Sequence, residues 1–131
     1  MNALDDKPID EKAFAYRDLI GQDKWTAWAV VFGALTVVGA PTYVGRHRVV
    51  GKQCFFQVTL LAATSIASTA GVDYLTLPFM AMGLAGNAVM TNATSKIAVG
   101  VCHIDVATSR CYLPTQVASG NTFNISGSFE I

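Results

Sequence analysis

The sequence predicts an all-β protein: an antiparallel β-sandwich or jelly roll of about eight to ten short strands, with a mostly irregular N-terminal arm. Three observations carry this. Residues 53–61 and 122–131 alternate apolar and polar side chains with the period of two that half-buried strands require. Short β-branched runs are separated throughout by Gly, Pro, Asn and Ser turn signals. No long stretch after residue 24 shows the helical period.

Residues 1–24 form the arm and residues 25–131 the β domain. In the arm, Pro8, Asp10 and Glu11 suit the opening of a helix. Phe14, Tyr16, Leu19 and Ile20 are too few and too unevenly spaced to hold one, and Gly21 ends it. Two readings stand: a frayed terminus, or a segment that orders on a partner with Phe14 and Tyr16 as anchors.

The β domain opens with strands at 26–32 and 35–38, followed by a turn at 39–41. The central feature is the pair 43–50 and 53–61, broken at Gly51 and Lys52. In the second member, Cys54, Phe56, Val58 and Leu60 face one way, and Gln53, Gln57 and Thr59 the other. Phe55 falls on the polar face, either as an ordinary exposed aromatic or as a subunit contact. Residues 62–71 are small and polar and read as a loop. A strand at 73–77 ends at Pro78, which cannot donate to a central ladder. Residues 80–87 give no clear pattern. Then come a strand at 88–91, a turn at 92–95, and a strand at 96–106 setting Ile97, Val99, Val101 and His103 against Ala98, Gly100 and Cys102. A turn at 107–109, a strand at 110–113 and a loop at 114–120 lead to the final strand, with Phe123, Ile125, Phe129 and Ile131 on one face. Gly127 falls in that inward register, where a neighbour approaches closely.

Composition bounds the function. At 131 residues the chain supports one core. Only 14% of residues are charged against 52% apolar, so the surface is either rich in small polar residues or partly buried against other subunits. Residues 1–23 carry six acids and three bases, net −3, and the rest carries six bases and three acids. Arg46, His47 and Arg48 form the one basic cluster, too little for a nucleic-acid footprint. They suit a solvated strand face or a salt-bridging interface. The polar start is unlike a signal peptide. Residues 27–44 carry no charge, but Gly33, Gly39 and Pro41 cut them into strand-length pieces, so no membrane partner is expected. Cys54, Cys102 and Cys111 make an odd number without framework spacing, which favours free thiols and a reducing compartment. Cys102 and Cys111 flank a predicted hairpin, and whether they pair is open.

No catalytic constellation assembles, and the chain is expected not to be an enzyme. His103 and Asp105 share a strand face, but no nucleophile elbow accompanies them. His47 lies between two arginines, a poor place for a base. No phosphate-cradling glycine motif or zinc spacing occurs, so no cofactor or metal is expected.

Trp25, the tyrosine-containing strand entering Val50, Gly51 and Lys52, the alternating Phe56, Val58 and Leu60, and Leu77, Pro78 and Phe79 after a Ser/Thr-rich stretch resemble small β-sandwich modules of tailed-bacteriophage virion proteins. The closing residues 124–131 resemble the terminal strand of such modules, and the resemblance covers about residues 25–131. It implies binding and scaffolding: capsid decoration (cement) proteins, head fibres, or receptor-binding tips of tail fibres, commonly as trimers. Decoration is the preferred expectation, because the chain begins with methionine, is short, has no fibre shaft and carries an anionic arm. The major capsid protein and further copies of this chain are then the expected partners, in a virion assembled in bacterial cytoplasm. The alternative is a fibre tip that recognises a bacterial surface glycan. Phe14, Tyr16, Arg46, Arg48 and Phe55 are the expected interaction residues.

Overall fold

A computed structural model describes residues 24–82 and 86–131. It is all-β and antiparallel throughout, a large curled sheet with a small sheet, consistent with a β-sandwich. The strands are β1 Thr26–Trp28, β2 Phe32–Gly33, β3 Thr36–Val38, β4 Thr42–Val50, β5 Gln53–Leu61 and β6 Ser65–Ser68. They continue with β7 Tyr74–Thr76, β8 Gly86–Asn92, β9 Ile97–Asp105, β10 Arg110–Tyr112, β11 Gln116–Ser119 and β12 Thr122–Glu130. Nine form one sheet in the order β1-β4-β5-β12-β8-β9-β10-β7-β2, and three form another in the order β11-β6-β3.

The curl follows from connectivity. β1 and β2 are opposite edges of the nine-stranded sheet, yet only residues 29–31 separate them. Four Cα steps reach at most about 15 Å. A flat sheet of this width would span about 38 Å from first strand to last. The sheet must therefore bend round until its edges nearly meet, which encloses its inner face.

That inner face is the core. Cys54, Phe56, Val58 and Leu60 of β5 are all buried, as the alternation predicts. Phe123, Ile125 and Phe129 of β12 face them across a ladder that runs unbroken from Thr122 against Leu61 to Glu130 against Gln53. Met90, Ile104, Cys111 and Leu75 complete the wall from the neighbouring strands. The β4–β5 hairpin turns at Gly51 and Lys52, with Val50 paired to Gln53 and Gly51 at φ 60°. A positive φ at the first but not the second of two turn residues is the type II′ geometry, which matches strand twist and favours glycine.

Three assignments differ from expectation. The predicted strand at 26–32 is two strands, β1 and β2, because the chain leaves one sheet edge and joins the other between them. The predicted loops at 62–71 and 114–120 contain β6 and β11. These two pair with each other, and β3 pairs with β6, forming the small sheet. Their small polar side chains hide the pattern: β6 buries Ile66 and Ser68, and Ser68 Oγ donates to the Pro114 carbonyl at 2.6 Å. These additions raise the strand count among the described residues to twelve. On β9 the inward set is Cys102 and Ile104, while Val101 is 74% exposed. The charge-free run at 27–44 is divided among β1, β2, β3 and the start of β4, and among the described residues no helix is long and apolar enough to cross a membrane.

Candidate interaction surface

The outer face of the large sheet gathers the residues singled out from the sequence. Alternation that buries Cys54 and Phe56 turns Phe55 and Gln57 outward, and the β4 register places Arg48 beside Phe55 and Arg46 beside Gln57. The rows continue across the sheet. Arg46, Gln57, Ser126, Val89 and Val101 are successive register partners, and so are Arg48, Phe55, Ser128 and Asn87. The face is thus basic and aromatic at one end, hydroxyl-lined in the middle and apolar at the other, where Val89 is 43% and Val101 74% exposed.

Trp25 lies over the basic end. Its ring centroid is 4.6 Å from the Arg46 guanidinium carbon and 5.1 Å from that of Arg48, which is also 5.2 Å from the Phe55 ring. Guanidinium carbons within about 6 Å of an aromatic face are attracted by its quadrupole. Arg46 donates Nε to Gln57 Oε1 at 2.9 Å. Arg48 Nε is buried and has no hydrogen-bond partner among the described residues. A groove of about 410 Å³ opens beside this cluster, between Trp25, Phe55 and Val89 and over Ser126 and Ser128.

Arg46, Arg48 and Phe55 are therefore brought together, whereas Phe14 and Tyr16 lie outside the described residues. Trp25, Val89 and Val101 are the additions. Trp25 carries no site reading in the sequence; its contact with Arg46 beside the β1–β4 pairing shows which face it meets. His47 points away from its two neighbours, edge-on to Phe79 at 5.0 Å and to Trp28 at 6.5 Å, with Nδ1 buried and unpartnered among the described residues.

A second outward region lies across β9, β10 and β7, where His103, Tyr112 and Tyr74 are successive partners. The two tyrosine rings are 5.6 Å apart, and the Arg110 guanidinium lies 4.0 Å from the Tyr74 ring centre. Beside them is a groove of about 710 Å³ walled by Val99, Val101, His103, Tyr112 and Pro114. Asp105 does not orient His103. Its carboxylate instead accepts from Ala107 N at 3.2 Å and Thr108 Oγ1 at 2.7 Å, closing the β9–β10 turn.

The three cysteines are free and buried. Burial pushes the Cys54 thiol up to about 11. Cys111 and Cys102 share a hydrogen bond that lowers Cys102 and, with burial, raises Cys111. Among the described residues no three His, Cys, Asp or Glu side chains gather where they would hold a metal ion.

No known protein family, curated protein or solved structure matches the chain.

Proposed function

We propose that this is a virion structural protein that works by binding and assembly, with capsid decoration as its role. The carrying observation is the outer sheet face: a long, regular surface with Val101 74% exposed at one end and the Trp25, Arg46, Arg48 and Phe55 cluster at the other. Exposed apolar surface rimmed by polar groups marks interaction sites. A trimer closed through such faces would cover it, since a heterologous contact whose rotation closes makes a ring. Residues 1–24 are assigned to the major capsid protein, because an anionic arm ahead of a compact β domain suits a clip onto a lattice.

A second reading, a fibre tip for bacterial surface glycan, is favoured by the outward Tyr74, Tyr112 and His103 row. Tyrosine rings offer apolar faces with polar tips, the surface that amphipathic sugar rings meet.

Binding of the labelled protein to purified capsids tests the first reading. Saturable binding with raised capsid heat resistance is expected. Absent binding, together with blocked phage adsorption by the free protein, replaces decoration with the tip reading. Phe55→Ser and Val101→Lys are each expected to lower the number of copies bound per capsid, and unchanged occupancy in both removes this face from assembly.

A further inference from the structure

We propose that residues 1–23 dock, within the same chain, on the Trp25, Arg46, Arg48 and Phe55 face when the protein is free. Charge is the first argument. Residues 1–23 carry net −3, while Arg46 and Arg48 project from the same face of β4, two residues apart. The described polar partner of Arg46 is the neutral Gln57 amide, and Arg48 Nε has none among the described residues.

Two of the three acids of residues 24–131 are occupied, and the third stands on another row of the same face. Asp73 is buried and accepts from Thr69 N. Asp105 closes its own turn. Glu130 pairs with Gln53 on β5, two positions along from the Phe55 and Ser128 row that Arg48 heads. Two neighbouring guanidinium groups, one with a donor that has no partner among the described residues, form a site for carboxylates, which accept from the guanidinium fork with charge assistance.

Shape and tether agree. The groove of about 410 Å³ beside Phe55 and Val89 has aromatic and aliphatic walls and a hydroxyl floor, a place for an aromatic side chain such as Phe14 or Tyr16. Trp25 already rests on the arginines, so the preceding residues start at the site. Asp18 is seven residues before Trp25, within about 25 Å of extended chain. Short tethers hold a segment at about millimolar effective concentration, which favours the chain's own arm over a neighbour's. If the arm also engages a capsid, it must first leave this face, and release would uncover the arginines for assembly. That consequence rests on the decoration reading; the docking itself does not.

Chymotryptic cleavage after Phe14 and Tyr16 in the full chain, relative to a free peptide of residues 1–24, tests this without any capsid. Docking is expected to slow cleavage about tenfold or more, because the docked state must open before it is cut. Arg46→Glu with Arg48→Glu is expected to bring the rate to that of the peptide, as is Asp18→Lys with Asp23→Lys. All four changes together are expected to restore protection. Should the arginine variant lose its far-UV strand signal, the Asp18→Lys, Asp23→Lys chain decides alone: the peptide rate supports docking, and the wild-type rate overturns it. A wild-type chain cut as fast as the peptide also overturns it. Protection that grows across about a hundredfold range of protein concentration puts the arm on a second copy and overturns docking within one chain.

Discussion

Gly127 of β12 lies against its register partner Ala88 of β8 so closely that a Cβ at 127 would overlap both the Ala88 methyl and the Asn87 carbonyl oxygen. β12 is held by β5 on its other side, so neither strand can move apart without breaking a ladder. Gly127→Ala is therefore expected to lower unfolding free energy by about 1–3 kcal/mol, the cost of overpacking. Ser126→Ala, one residue away on the outward face, is expected to stay within about 0.5 kcal/mol. Urea denaturation of the two variants measures the contrast, and equal midpoints would refute the close approach.

Asp73 is a buried acid, and its carboxylate accepts the Thr69 N–H at 2.6 Å while its own carbonyl accepts Leu113 N at 2.9 Å. The side-chain bond ties the end of β6 to the start of β7. Asp73→Ala leaves the Thr69 donor without its acceptor, and about 1–3 kcal/mol of stability is expected to go with it. Asp73→Asn keeps an oxygen acceptor and should recover part of the loss in the same denaturation experiment.

The small sheet depends on one side chain for much of its hold on the core. Ile66 of β6 is fully buried, whereas β3 and β11 carry exposed Val37, Val38 and Val117. Ile66→Ala is expected to cost about 2–5 kcal/mol. Amide exchange should rise first in β3, β6 and β11, since a cooperative unit opens where its buried contacts are fewest. Uniform loosening of the large sheet instead would place the anchor elsewhere.

The strands that were legible in the sequence are those with one wet and one dry face. β5 and β12 show it most clearly, because their inward Phe56, Val58, Phe123 and Ile125 alternate with hydroxyls and amides. β6 and β11 were not legible, because Ser, Ala and Gln carry almost no contrast and the pairing that makes them strands joins residues about fifty apart. The break between β1 and β2 is likewise a product of the whole curl, which a local pattern does not record. Arg46 and Arg48 as a basic cluster and Phe55 as an outward aromatic were legible, and period two with a tight turn fixes the register that puts them on one face. Trp25 was not recognised as part of that face, since its place depends on β1 lying beside β4. Val101 is a bulky apolar residue that faces out, where periodicity alone cannot tell which side of β9 is covered.

Alkaline pH is expected to expose the buried thiols as a stability term. Burial raises the Cys54 thiol from 9.0 to about 11. The thiolate is the charged form, so the folded state keeps a proton that the unfolded state gives up sooner. The contribution is fully present below pH 9.0 and is lost as pH rises through about 11. The urea midpoint should therefore hold up to that lower bound and fall across the window. Cys54→Ala should start from a lower midpoint, because it leaves a small void, but should fall less steeply. The slope that remains in that variant includes Cys111, which its hydrogen bond with Cys102 and burial also raise. Parallel slopes in the two chains would mean that Cys54 ionises as readily folded as unfolded, and would overturn the reading of it as a closed core thiol.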